Sequence, residues 1–132
     1  MSERELHPVL TPERRHQLVE EGIALFHRGE YFAAHEAWEE VWRSTTPEPR
    51  DLFQGLVQLA AAFHHLRQRK RPDIARRVLG KARRRLAAVA PTADDLQVTA
   101  LLADLDLWDV WLAAPAGMPP PPPRLRRLDS NG

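Results

Sequence analysis

Between Leu52 and Leu66 the chain runs LFQGLVQLAAAFHHL, fifteen residues without one Asp, Glu, Lys or Arg. A helix so poor in charge has no face suited to bulk water over much of its circumference, so the rest of the fold must supply neighbours that cover it. The stretch is too short to span a bilayer. A central helix inside a soluble bundle is the expectation.

The flanking segments read as the covering helices. Thr11-Pro12-Glu13 joins a capping hydroxyl, a proline whose missing N–H costs nothing in a first turn, and an acid facing the positive helix end. This predicts a first helix to about Arg28. Gly29 suits a left-handed C-terminal cap, and a second helix restarts at Glu30 or Tyr31 and runs to Arg43 or Ser44. Thr46-Pro47-Glu48 repeats the start signal for the charge-free third helix, which continues to about Arg69; Gly55 within it predicts the close approach of another backbone. Pro72-Asp73 opens a fourth helix with Ile74, Val78, Ala82, Leu86 and Val89 at helical spacing, and Pro91 stops it. Thr92 and Asp95 resemble a capping box for a fifth helix carrying Leu101, Leu105, Trp108 and Leu112, ended by Pro115 and Gly117.

No segment alternates convincingly like a strand. The expected class is all-α, a bundle of four to five helices built around a central antiparallel hairpin of the second and third helices. The expected division is an N-terminal arm over 1–10, a helical domain over 11–114 and a proline-rich mobile tail over 115–132, with Pro119 to Pro123 as a short polyproline rod.

The second helix, YFAAHEAWEEVW, places Tyr31, His35, Trp38, Glu39 and Trp42 on one side at about 100° per residue. An imidazole and a carboxylate among large rings each need a hydrogen-bond partner or a ligand. On the third helix Gln54, Gln58 and His65 share a stripe with Ala61. Antiparallel pairing would bring Glu39 near both glutamines and His35 near Ala61 or His65. The candidate ligand groove is therefore His35, Glu39, Gln54, Gln58 and His65, with Tyr31, Trp38 and Trp42 as supporting aromatics.

Three readings of that groove compete. It is a satisfied network that fixes helix register, a pocket for an anion, metabolite or peptide group, or a metal site in which His65 joins the i, i+4 pair His35 and Glu39. The sequence HEAWE is not the metallopeptidase H-E-x-x-H motif, because Glu39 stands where the second histidine belongs. No catalytic residue and no cofactor are assigned.

Absence of cysteine excludes thiolate catalysis and cysteine-ligated metal. Net charge is +1, yet ten of the nineteen basic residues lie between Arg67 and Arg85 while Glu30 to Asp51 and Asp94 to Asp109 are mainly acidic, which predicts a polarised surface. Arg76, Arg77, Arg83, Arg84 and Arg85 could meet phosphates; a solvated helix face explains them equally well, so nucleic acid is disfavoured as a partner. The first residues lack the apolar region of a secretory signal, so a cytoplasmic location and no membrane partner are expected. Four tryptophans in so small a chain suggest a homodimer contact that hides some of them.

The segment FHRGEYFAAHEAWEEVWR, followed by DLFQGLVQLAAAFHHLRQRKRPDIARRVLGKARRRL, resembles the small bacterial and archaeal helical family known as domain of unknown function 309. The likeness rests on His35, Glu36, Trp38, Glu39, Trp42, Phe53, Gln54, Gly55, Leu56, Gln58 and His65, with Ala33 where an acid is common and Val57 in place of isoleucine. It implies an all-α bundle of four or five helices and brings no established reaction, substrate or cofactor. The expectation is a non-enzymatic protein whose groove binds a small polar ligand or a partner segment. A metal-dependent hydrolase using His35, Glu39 and His65, and nucleic-acid binding through the arginine-rich helix, are the alternatives.

Overall fold

The computed structural model describes residues 9–44 and 47–128. Five helices follow in order: α1 (Pro12–His27), α2 (Tyr31–Trp42), α3 (Arg50–His64), α4 (Pro72–Ala87) and α5 (Val98–Ala113). The start of α1 is capped as its sequence requires, Thr11 Oγ1 accepting from the Arg14 N–H at 3.0 Å. At its end Gly29 takes φ +80, and the N–H groups of Gly29 and Glu30 return to the carbonyls of Phe26 and Leu25 at 3.0 and 2.9 Å. Those two bonds turn the chain directly into α2.

The third helix begins later than Thr46-Pro47-Glu48 suggests. Pro49 follows Glu48, and the ring of a proline disfavours helical backbone in the residue before it, so the first helical residue is Arg50; Thr46 lies outside the described residues. At its other end the chain reaches Arg69 as expected, but through a π-helical turn, His65–Arg69, closed by Lys70 at φ +50.

Helix α3 is central. Leu52, Phe53, Leu56, Leu59, Ala60 and Phe63 are buried, α2 and α4 lie on its two flanks, α1 packs on α2 and α5 on α4. A Cβ on Gly55 would sit 2.9 Å from both Cγ and Cδ2 of Leu86, so this glycine permits the close approach of α4 that its sequence position predicts. Phe26, Tyr31, Trp38, Phe63 and Trp108 meet at centroid distances of 4.9–5.9 Å and tie four helices together. No helix among the described residues is long and apolar enough to cross a membrane.

Two expectations are corrected between α4 and the end of the chain. Thr92 and Asp95 do not cap α5; Thr92–Ala93 (β1) pairs antiparallel with Leu96–Gln97 (β2) around Asp94 and Asp95, whose φ values are +50 and +62. Two left-handed residues make the mirror-image turn that suits a tight hairpin, and Asp is one of the few side chains that tolerates it. This pair is the only sheet among the described residues, and the class remains all-α.

The proline-rich segment is not a mobile tail over the residues described, 115–128. Pro123 and Leu125 are buried, Trp108 and Trp111 donate their indole N–H groups to the carbonyls of Pro121 and Ala116 at 2.8 and 3.1 Å, and Leu125 N–H donates to His27 Nε2 at 3.0 Å. Further on, Gln97 N–H donates to Arg126 O and Leu128 N–H to Asp95 O, so the strap extends the hairpin. Prolines cannot donate, but their carbonyls accept: Pro121 of the rod takes the Trp108 indole N–H, and Ala116 ahead of the rod takes that of Trp111.

The charge blocks also meet each other. Arg76 binds Asp109 at 3.1 Å, Arg83 binds Asp106 at 2.5 Å and Asp109 at 3.5 Å, so the basic face of α4 is partly neutralised by α5. The polarised surface expected from the sequence is reduced on this side of the molecule, where α4 and α5 pair.

Candidate functional site

Gln54, Gln58, Ala61 and His65 lie on the side of α3 opposite Leu52, Leu56, Leu59 and Phe63, and all four are half-buried. Helix α2 forms one wall beside this line. Tyr31 meets Phe63 at 5.5 Å, Phe32 meets His64 at 5.3 Å, and the Arg50 guanidinium stands 5.9 Å over the Trp42 ring, so the two helices run antiparallel. His35 and Glu39, half-buried, share the α2 stripe that Tyr31 and Trp42 anchor. Helix α4 forms the other wall, held by the Leu86 contact at Gly55 and by Arg85–Asp51 at 3.1 Å. The result is a trough with α3 as its floor.

This differs from the reading of the groove as a satisfied network. Among the described residues no hydrogen bond joins Glu39 to Gln54 or Gln58, and Gln58 instead lines a cleft of about 540 Å³ with Asp51, Lys81, Arg84, Arg85 and Ala88. The cause is the rotation of α3. Its broad apolar arc faces the core and Gly55 seats α4, which leaves the polar line pointing outward between two helices rather than inward at one.

Four polar atoms of this face are shut away from solvent without a hydrogen-bond partner among the described residues: His35 Nδ1, Trp42 Nε1, Gln58 Oε1 and His65 Nδ1. Each such group costs on the order of 1–3 kcal/mol relative to a satisfied one. At the end nearest α1 lies a second cleft, about 440 Å³, whose lining includes Gly29, Tyr31, Phe32, His64 and Arg67. Phe32 is 52% exposed, lies parallel to the His35 ring at 6.0 Å and leans on His64. Burial, then the nearby His65, Arg69 and His35, lower the His64 pKa, which keeps that imidazole neutral. Burial raises the Tyr31 phenol, partly opposed by the Arg67 guanidinium.

The remaining residues singled out in the sequence sort as follows. Trp38 is fully buried and donates to Val19 O at 3.3 Å, making it core rather than a supporting wall of the site. Of the four tryptophans, Trp38 and Trp108 are buried and Trp42 and Trp111 half-buried. Among the described residues no three His, Asp or Glu side chains come together as a metal cage, so His35, Glu39 and His65 do not form the ligand set the hydrolase alternative requires. Of the arginines offered for nucleic acid, Arg76, Arg83 and Arg85 are engaged with Asp109, Asp106 and Asp51.

Sequence reasoning missed Lys81 and Arg84 as neighbours of Gln58, and His27 as the acceptor for the strap. The first were legible as an i, i+3 pair on α4, but not the α3 face they would meet. His27 and Leu125 are 98 positions apart, and no local signal joins them.

Residues 19–78 match the family model of Domain of unknown function (DUF309), a span that contains α2 and α3 whole and the opening of α4. No curated protein and no solved structure matches the chain.

Proposed function

The chain carries a domain of the DUF309 family over residues 19–78, and from that premise we propose that the domain is a binding module whose outer α2–α3 trough takes a small polar ligand. The observation that carries this reading is the set of orphaned atoms on one face, His35 Nδ1, His65 Nδ1 and Gln58 Oε1. A fold normally pairs its buried polar groups; the three left unpaired belong to half-buried side chains on adjoining helix faces, and a turn of ring or amide presents them to a molecule in the trough. Binding is favoured over catalysis because no side-chain hydrogen bond among the described residues links a nucleophile to a base.

The test exploits an asymmetry. Removing a polar group from a satisfied network destabilises, whereas removing an orphan is neutral or stabilising. His35→Phe keeps the ring beside Phe32 and deletes the polar atom. Its stability to urea is expected to stay within about 0.5 kcal/mol of the parent or rise, while small molecules released from the purified parent on denaturation, identified by mass spectrometry, are lost from the variant. A loss of on the order of 1–3 kcal/mol with unchanged released molecules would instead mark His35 as part of a structural network. Glu39→Gln, beside it on α2, is expected to behave like His35→Phe.

A further inference from the structure

We propose that the α3–α4 cleft is an oxyanion subsite of the trough, built for the phosphate of a small phosphate monoester, an inference that rests on the binding reading through the shared residue Gln58. Three cations line the cleft, Lys81, Arg84 and Arg85, against one carboxylate, Asp51. Arg85 is already committed to that carboxylate at 3.1 Å. Lys81 and Arg84 have no ion pair or hydrogen bond with any described residue.

The arrangement is electrostatically uphill as it stands. Lys81 and Arg85 are four apart on α4 and Lys81 and Arg84 three apart, spacings at which like charges on a helix repel. The same helix solves this problem for Arg76 and Arg83 with aspartates of α5, and among the described residues no second carboxylate answers Lys81 and Arg84. Two uncompensated positive charges match the charge of roughly −1.5 to −2 on a phosphate monoester near neutral pH. A carboxylate would leave one of them unanswered. Beside the cations Gln58 carries the orphaned Oε1, an acceptor that a turn of its amide presents to a hydroxyl or N–H next to the phosphate rather than to the phosphate oxygens themselves. The volume, about 540 Å³, falls in the range of small-molecule sites, roughly 300–1,000 Å³.

The experiment titrates inorganic phosphate, then glycerol phosphate, into the full chain at low ionic strength and follows backbone and Gln side-chain amides by NMR. Shifts are expected at Gln58 and along Lys81–Arg85, with glycerol phosphate binding more tightly because its hydroxyls reach Gln58. The double variant Lys81→Gln/Arg84→Gln, both exposed positions, is expected to weaken phosphate at least about tenfold with unchanged helix content, the loss of a charge-assisted contact being of that order. Unchanged phosphate affinity in that variant overturns the proposal. So does a short DNA duplex that binds more tightly than glycerol phosphate and shifts Arg77 with the rest of the α4 face, which would mark a polyanion surface. His35→Phe leaves the cations in place: if it loses its released molecules yet still binds phosphate, both readings stand, and if phosphate binding alone fails in the parent, only the subsite is wrong.

Discussion

His27 holds the strap with a neutral ring nitrogen, since Nε2 must be unprotonated to accept the Leu125 N–H. Burial, then the charges of Arg124 and Arg126, lower its pKa from 6.5. The folded state thus resists a proton that the unfolded chain takes up. Its contribution to stability is complete above 6.5 and falls as the pH drops from there through the lowered folded value. Hydrogen exchange at the Leu125 amide, corrected for its intrinsic rate, is expected to show protection fading across that window, and His27→Gln, whose amide oxygen accepts at any pH, is expected to flatten the profile. A second residue-scale expectation concerns Gly22, where a Cβ would fall 2.6 Å from Cδ1 and Cε2 of the buried Trp38. Alanine there gains helix propensity of roughly 1 kcal/mol but forces the indole from its place, and a net loss of about 1–3 kcal/mol is expected in urea unfolding. Of these residues only Gly55 announced its role in advance, because a glycine in the middle of a charge-free helix weakens that helix to no purpose unless a neighbour fills the space. Gly22 sits in a helix with ample charge, and His27 depends on a partner from the far end of the chain.

Helix boundaries were legible at Thr11, Gly29 and Pro72, where a capping hydroxyl, a glycine or a proline acts within a few residues. They were misread where a rule with the same local signature had a different outcome. Thr92 to Asp95 has the spacing of a capping box, yet a pair of left-handed aspartates and the arriving strap draw the segment into a hairpin. Composition likewise suggested mobility after Pro115, because proline-rich and arginine-rich segments usually lack an apolar surface to bury; here the carbonyls find indoles and the arginines find Asp104 and Glu20. Trp108→Phe tests this at the level of the element. It retains the edge contact with Phe63 and loses the 2.8 Å bond to Pro121. About 1 kcal/mol of stability is expected to go, with a larger rise in exchange rates across 121–125 than in α3.

For the molecule as a whole, the central position of α3 is readable from its missing charges, and its antiparallel pairing with α2 matches the expected central hairpin. The rotation of α3 about its axis is not readable, and that rotation decides whether the candidate site is an interior network or an outer trough. The pairing of basic α4 with acidic α5 was equally invisible while each block was read alone. Its pairs are partly exposed, so they orient the helices more than they stabilise them. Asp109→Asn, which frees Arg76 and leaves Arg83 on Asp106 alone, is expected to cost less than about 1 kcal/mol and to lose most of that difference in molar salt, as denaturation at two ionic strengths would show.

Because the strap closes over helices that leave the ribosome before it, the nascent protein passes through an interval in which two indole donors, one imidazole acceptor and a hairpin edge are all waiting. During translation that open flank is the surface a chaperone would meet, and it disappears only when residues 115–128 swing back across the first helix.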